Sequence, residues 1–171
     1  IAIDDQSLAN LGRWPWPRDI HARLIELLAV AKPKVIGNTI FYFEPQIDPG
    51  YRYITQAIDL VSSGVPEGGT ASPEQEKLLA LLGEAEGALN TDRKLAASLE
   101  RAGNVVLPML FDIADERGRP DKAQPPYVVA SSIVQAGKGD GEGRYLSTDR
   151  VQVPIETLGS KALYLGHLNG N

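Results

Sequence analysis

Pro33-Lys34-Val35-Ile36-Gly37-Asn38-Thr39-Ile40-Phe41-Tyr42-Phe43-Glu44-Pro45 is the stretch whose reading decides the fold. It is rich in β-branched and aromatic residues and closed by proline at both ends, so it predicts a mostly buried strand over Lys34–Phe43. Upstream, Ile20, Leu24, Leu27, Leu28 and Ala31 are spaced as one apolar stripe, predicting a helix over Arg18–Ala31. Pro17 sits where a helix start tolerates a missing N–H, and Pro33 forbids continuation. Earlier still, Ile1-Ala2-Ile3-Asp4-Asp5 reads as a short apolar strand, followed by turn-rich sequence from Gln6 to Trp16. The opening is thus a βαβ unit, for which right-handed parallel pairing is expected.

The same reading continues downstream. A short helix is predicted over Tyr51–Val61, and Ser62–Ser72 reads as a loop. Ser72-Pro73-Glu74-Gln75 has the capping-box arrangement and predicts a helix to about Gly83. Thr91-Asp92 opens another, with Leu95, Leu99 and Ala102 on its apolar face and Gly103 ending it. Asn104–Phe111 and Ala162–Leu168 read as strands, Asp112–Asp121 as a charged turn, Pro126–Gln135 as a helix and Gly137–Arg144 as a flexible glycine loop. Alternation of strands with helices implies the α/β class: a mainly parallel or mixed sheet with helices on both faces, in a single domain over residues 1–171. Ile1 is not an initiator Met and lies in what reads as a strand, so the chain is expected to be cut from a larger protein.

Composition removes several classes of function. Hydrophobic residues make up 43% and charged residues 23%, enough apolar surface for a core and too much for a disordered tail. The formal net charge of −5 argues against nucleic acid as a partner, since that needs a clustered basic surface. There is no cysteine, which excludes thiol nucleophiles, thiolate metal sites and disulfides without deciding the compartment. No run approaches the roughly 18–20 apolar residues of a membrane helix.

The densest chemistry is Asp4-Asp5, then Arg13-Trp14-Pro15-Trp16-Pro17-Arg18, then His21. Ligands of α/β sheets favour the carboxyl ends of strands, and on this reading the cluster lies at the end of the first. The candidate ligand-binding residues are therefore Asp4, Asp5, Arg13, Trp14, Trp16, Arg18 and His21. Two arginines offer a fork of donors to a carboxylate or phosphate, and two indoles cover a flat or apolar group. The competing reading is structural, with Asp5 capping a turn or pairing with an arginine and each Trp plugging the core. No second acidic cluster supports a metal site, and His21 and His167 lack metal-ligand spacing. Ser7, Ser98 and Ser131-Ser132 lack a nucleophile elbow, and Gly137, Gly139, Gly141 and Gly143 are not followed by Lys-Ser/Thr. No catalytic residue, metal or cofactor is predicted.

These residues also carry a resemblance. Ile3-Asp4-Asp5-x-Ser7-Leu8, Gly12-Arg13-Trp14-Pro15-Trp16-Pro17-Arg18 and His21-Ala22 resemble the opening of the second class of CHASE domains, extracellular sensors of bacterial receptors. The likeness continues through Val35-Ile36-Gly37, Phe43-Glu44-Pro45, Asp92-x-x-Leu95, Ala102–Pro108 and Leu165-Gly166-His167-Leu168-Asn169, and so spans essentially the whole chain. The Trp-Pro-Trp-Pro-Arg run is its specific part. It departs from the family pattern at Asn38 and Thr39, where an aspartate usually follows the Ile-Gly, so no carboxylate role is carried to that place. Family members also continue past Gly-His-x-Asn into an Asp-Gly and arginine-bearing strand pair, which the resemblance places beyond this chain.

The resemblance implies an extracytoplasmic sensory domain, periplasmic or extracellular, flanked by membrane helices. These feed an intracellular adenylate or guanylate cyclase, histidine kinase or Ser/Thr kinase, to which any catalysis belongs. The expected partner is an unknown small-molecule ligand, with homodimerisation or another protein contact as the alternative.

Overall fold

The computed structural model describes residues 1–46, 48–66, 69–113, 123–131 and 148–169. The chain forms two compact units, each assembled from two segments: Ile1–Leu24 with Gln46–Leu95, and Ile25–Pro45 with Ala96–Asn171. The class is α/β with a mixed sheet, as the sequence predicts.

The first unit opens differently from expectation. Residues 1–5 form no strand; Ile1 and Ile3 are exposed, and helix α1 runs Asp5–Leu11. Its cause is the sequence Asp4-x-x-Ser7. The Asp4 carboxylate accepts the Ser7 backbone N–H at 2.9 Å, and the Ser7 hydroxyl oxygen accepts the Asp4 N–H at 3.2 Å, a reciprocal cap that satisfies two otherwise free N–H groups. Gly12 ends α1 at φ +94°, a conformation that favours glycine, with its N–H on the Leu8 carbonyl. Helix α2 (Arg18–Val30) matches its predicted span.

Helices α3 (Tyr51–Ser63) and α4 (Pro73–Leu89) pack on each other. The capping box at Ser72 and Gln75 is present as read. Helix α4 nonetheless runs past Gly83, its predicted end, to Asn90, whose N–H bonds the Glu86 carbonyl. A single glycine costs a helix only about 1 kcal/mol, and Ala85, Glu86 and Leu89 continue the less exposed stripe beyond it. Asn90 then serves the next helix, α5 (Thr91–Ala102), by accepting the Arg93 N–H at 3.1 Å.

The second unit holds the sheet. Strand β1 is only Ile36–Gly37, much shorter than the predicted Lys34–Phe43. The reason is local: Asn38 Oδ1 accepts the Ile40 N–H at 2.7 Å and turns the chain, while Asn38 Nδ2 donates to the Tyr42 hydroxyl at 3.1 Å. Tyr42 is fully buried, and its carbonyl accepts the Ile155 N–H. The expected pairing of β1 with an N-terminal strand is replaced by parallel pairing with β2 (Val105–Ile113), Ile36 opposite Val105.

Strand β2 is the common partner. It pairs in parallel with β4 (Tyr164–His167), Leu107 opposite Leu165, and antiparallel with β3 (Thr148–Gln152), Phe111 opposite Val151. One residue beyond Leu168, the Asn169 side chain continues the ladder: Oδ1 accepts the Phe111 N–H at 2.9 Å and Nδ2 donates to the Phe111 carbonyl at 2.6 Å. Val105 and Leu107 are fully buried, as are Leu99 and Leu158. Helix α6 (Pro126–Ala130) covers the start of the predicted Pro126–Gln135 helix and is capped at Ser131; residues 132–135, most of the turn after Asp112 and the glycine loop at 137–144 lie outside the described residues. Strand β3 and the short helix α7 (Glu156–Gly159) carry no strong local pattern and are not anticipated.

Gly159 makes a tight spot. A Cβ there would lie 2.8 Å from Tyr127 Cδ2 and nearer still to Cε2, and the ring is anchored through its hydroxyl, which donates to the Pro154 carbonyl at 2.6 Å. Gly159→Ala is expected to cost about 1–3 kcal/mol in urea unfolding, because a tethered ring must move for one methyl group. Unchanged stability would show that the ring yields freely.

Candidate functional site

The candidate residues fall in the first unit, in two connected groups with different characters. At the base, Asp92 in the first turn of α5 is buried, and its carboxylate is shared. Oδ1 accepts from Arg18 Nε at 3.1 Å, and Oδ2 accepts the Gln46 backbone N–H at 2.8 Å. The Gln46 side-chain oxygen in turn accepts the Arg18 backbone N–H at 2.7 Å and the Thr91 hydroxyl at 3.0 Å. Helix α2 follows Pro17 and so has no Ser, Thr, Asp or Asn immediately before it to cap it; Gln46, 28 positions away, does so instead. Arg18, Gln46, Thr91 and Asp92 thus tie together the first turns of α2 and α5.

Above Arg18 on α2 sits an aromatic cluster. Trp16 is buried, and its indole N–H donates to the Gly12 carbonyl at 2.8 Å. Trp14 packs edge-on against Trp16 at 5.5 Å and against His21 at 5.6 Å; Trp16 and His21 are 6.3 Å apart. The Trp14–Pro15 peptide is cis. His21 is only 3% exposed and donates to the Trp16 carbonyl. Burial, then the Arg18 charge, push its pKa below the ordinary 6.5, with the Trp16 carbonyl and Asp19 pulling weakly the other way. Trp14 keeps 37% of its surface exposed.

The structure brings Trp14, Trp16, Arg18 and His21 together. Arg13 lies on the same turn and is exposed. Asp4 and Asp5 are exposed at the start of α1, not at the end of a first strand, since none forms there, and the Asp4 carboxyl is held below its ordinary 3.8 by the Ser7 hydroxyl and backbone N–H. The acidic pair therefore begins a helix, where a negative charge is favoured.

The family model of the CHASE2 domain matches residues 1–169. The chain belongs to the CHASE2 family. CHASE2 domains are extracellular sensory domains of membrane receptors, and their role is sensory, not catalytic. No curated protein and no solved structure matches the chain. Among the described residues of this CHASE2 domain, no helix is long and apolar enough to cross a membrane.

Three members of the CHASE2 domain's polar base escaped sequence reading as site residues. Thr91 and Asp92 read as a helix start, and Asp92 proves to face inward because Asn90 takes the capping role. Gln46 follows Pro45 with no local pattern, and nothing short of the fold reveals it. Asn38 and Thr39, where the family pattern has an aspartate, lie in the second unit; the amide of Asn38 there makes a turn and meets Tyr42.

Two outcomes follow for this CHASE2 domain. Arg18→Ala and Asp92→Ala should each lower the unfolding free energy by about 2–4 kcal/mol in urea titration, since either breaks a charge-assisted contact that has little access to water. The double variant should lose less than the sum. The second outcome concerns pH. A His21 pKa below 6.5 means that the unfolded chain binds the proton better, so its stabilisation is complete above pH 6.5 and declines as pH falls below it. Glu86, held below its ordinary 4.5 chiefly by the Tyr51 hydroxyl, stabilises above that value and loses its share as pH falls through its lowered pKa. Melting temperature should therefore already drop between pH 6.5 and pH 5, and His21→Phe should flatten that segment of the curve while leaving the more acidic loss.

Proposed function

We propose that this CHASE2 domain is the extracytoplasmic, ligand-receiving part of a bacterial transmembrane signalling protein. In this reading membrane helices flank it, and an adenylate or guanylate cyclase or a kinase output lies elsewhere in the protein. The ligand is small and is received at the outer side of the Trp-Pro-Trp turn by Arg13 and Trp14, with Asp5 on the neighbouring helix α1. Trp16, His21 and Arg18 act beneath as the support. One observation carries the reading: an exposed Arg13 and a half-exposed Trp14 stand on a turn whose other indole is buried and hydrogen-bonded. An exposed arginine next in sequence to a partly exposed indole, on a turn held by buried groups, suits an anionic or flat group, because little freedom is lost on binding.

Signalling then requires unequal affinity for two states. Moving a receptor from 1:99 to 99:1 takes about 5.5 kcal/mol of differential binding, and a ligand that binds both states equally moves nothing. Coupling through the polar base is a physical route, since Arg18 lies one turn from His21 on α2 and is bonded to α5 through Asp92.

Native mass spectrometry of the freshly purified chain, set against the same sample denatured, is expected to show a stoichiometric small-molecule mass. Arg13→Ala should lose that mass with melting temperature nearly unchanged, and Trp14→Ala should lose it with a lowered melting temperature, since its indole also packs on Trp16 and His21. A retained mass indifferent to both substitutions would move the site elsewhere, and a bare chain in every preparation would count against a tightly held ligand.

A further inference from the structure

We propose that the outer face of helix α3 is a two-fold interface with a second copy of this chain. None of the residues of α3 is fully buried, and its outward side carries Arg52, Tyr53, Gln56, Asp59 and Leu60. Tyr53 is 63% and Leu60 75% exposed, large apolar groups left in water on the side of the helix turned from its neighbour. The Arg52 guanidinium lies over the Tyr53 ring at 5.2 Å, making one compact cationic and aromatic end. Asp59 and Leu60 make an anionic and aliphatic end.

The order of these residues carries the inference. Arg52 and Asp59 are seven apart, as are Tyr53 and Leu60, which is two helical turns. Two-fold packing of antiparallel α3 helices about Gln56 lays the Arg52-Tyr53 end of one copy over the Asp59-Leu60 end of the other, and repeats the contact by symmetry. Each copy then gains an opposite charge and an apolar cover at both ends.

The placement of charge also opposes what a lone helix prefers. Its first turn has a cation and no acid, and its last turn has no base. The helix dipole favours the reverse, so the dipole does not explain these charges, whereas an antiparallel partner does. Neither Arg52 nor Asp59 has an ion-pair partner among the described residues. The interface is one helix face wide, which places it among weak, concentration-dependent contacts, with the charges setting register more than affinity. It is independent of whether a ligand binds at the Trp-Pro-Trp turn.

Sedimentation velocity of the chain from micromolar to millimolar concentration is the test, with melting temperature measured on every variant to confirm folding. The wild type should move from monomer to dimer. Leu60→Asp should weaken the dimer by at least about tenfold, the loss expected when a buried leucine becomes a charge. Arg52→Asp should also weaken it, and the swapped pair Arg52→Asp with Asp59→Arg should restore it. Val30→Asp, a control at another exposed apolar residue, should change nothing. A chain that stays monomeric throughout overturns the proposal and leaves the face to another part of the receptor. A dimer insensitive to Leu60→Asp, or one the charge swap fails to rescue, overturns it equally.

Discussion

A carboxylate with little access to water must have its charge met by the protein, and in the first unit that condition falls on Asp92. Its two oxygens are taken by the Arg18 guanidinium and the Gln46 backbone N–H, and Gln46 hands a further oxygen to the Arg18 N–H and the Thr91 hydroxyl. Each group satisfies another that would otherwise be stranded, so the arrangement is closed and specific in geometry. It sets the first turn of α2, and with it the direction from which His21 meets the two indoles.

The aromatic turn depends on that base in a second way. His21 is kept neutral by burial and by the neighbouring guanidinium, so the cluster of Trp14, Trp16 and His21 behaves as packed hydrophobic matter with one polar edge. Trp14 and Arg13 remain open to solvent, as do Pro15 and Pro17. In the proposed reading, the ligand-receiving side of the turn stands on buried groups, and those groups reach two helices.

Much of the fold was legible because its signals are local. Helix α2 is read from its stripe and bracketing prolines, α4 from a Ser72–Gln75 box that forms as written, and β2 from an unbroken apolar run. The failures are equally physical. Ile1 and Ile3 look like a strand, yet a strand needs a partner, and the Asp4–Ser7 cap offers a helix immediately. Lys34–Phe43 has strand-like composition, but Asn38 bends the backbone after two paired residues. Strand β3 is polar enough to hide, since its pairing with β2 is supported by Arg150 and Gln152 bonding to Asp112, a cross-strand arrangement that no single segment displays.

The candidate site divides in the same manner. The amino-acid sequence by itself determined the α/β class, the family and the cluster of Arg13, Trp14, Trp16, Arg18 and His21, because these lie within nine residues and one helical turn brings Arg18 beside His21. Only the tertiary structure decided what each does. Arg18 faces a carboxylate 74 positions away, Gln46 caps a helix 28 positions away, and Asn169 completes a ladder at Phe111, 58 positions away. Periodicity and capping are properties of neighbours along the chain and can be read in order. The satisfaction of a buried charge or a stranded N–H is a property of neighbours in space, and it exists only once the chain has folded.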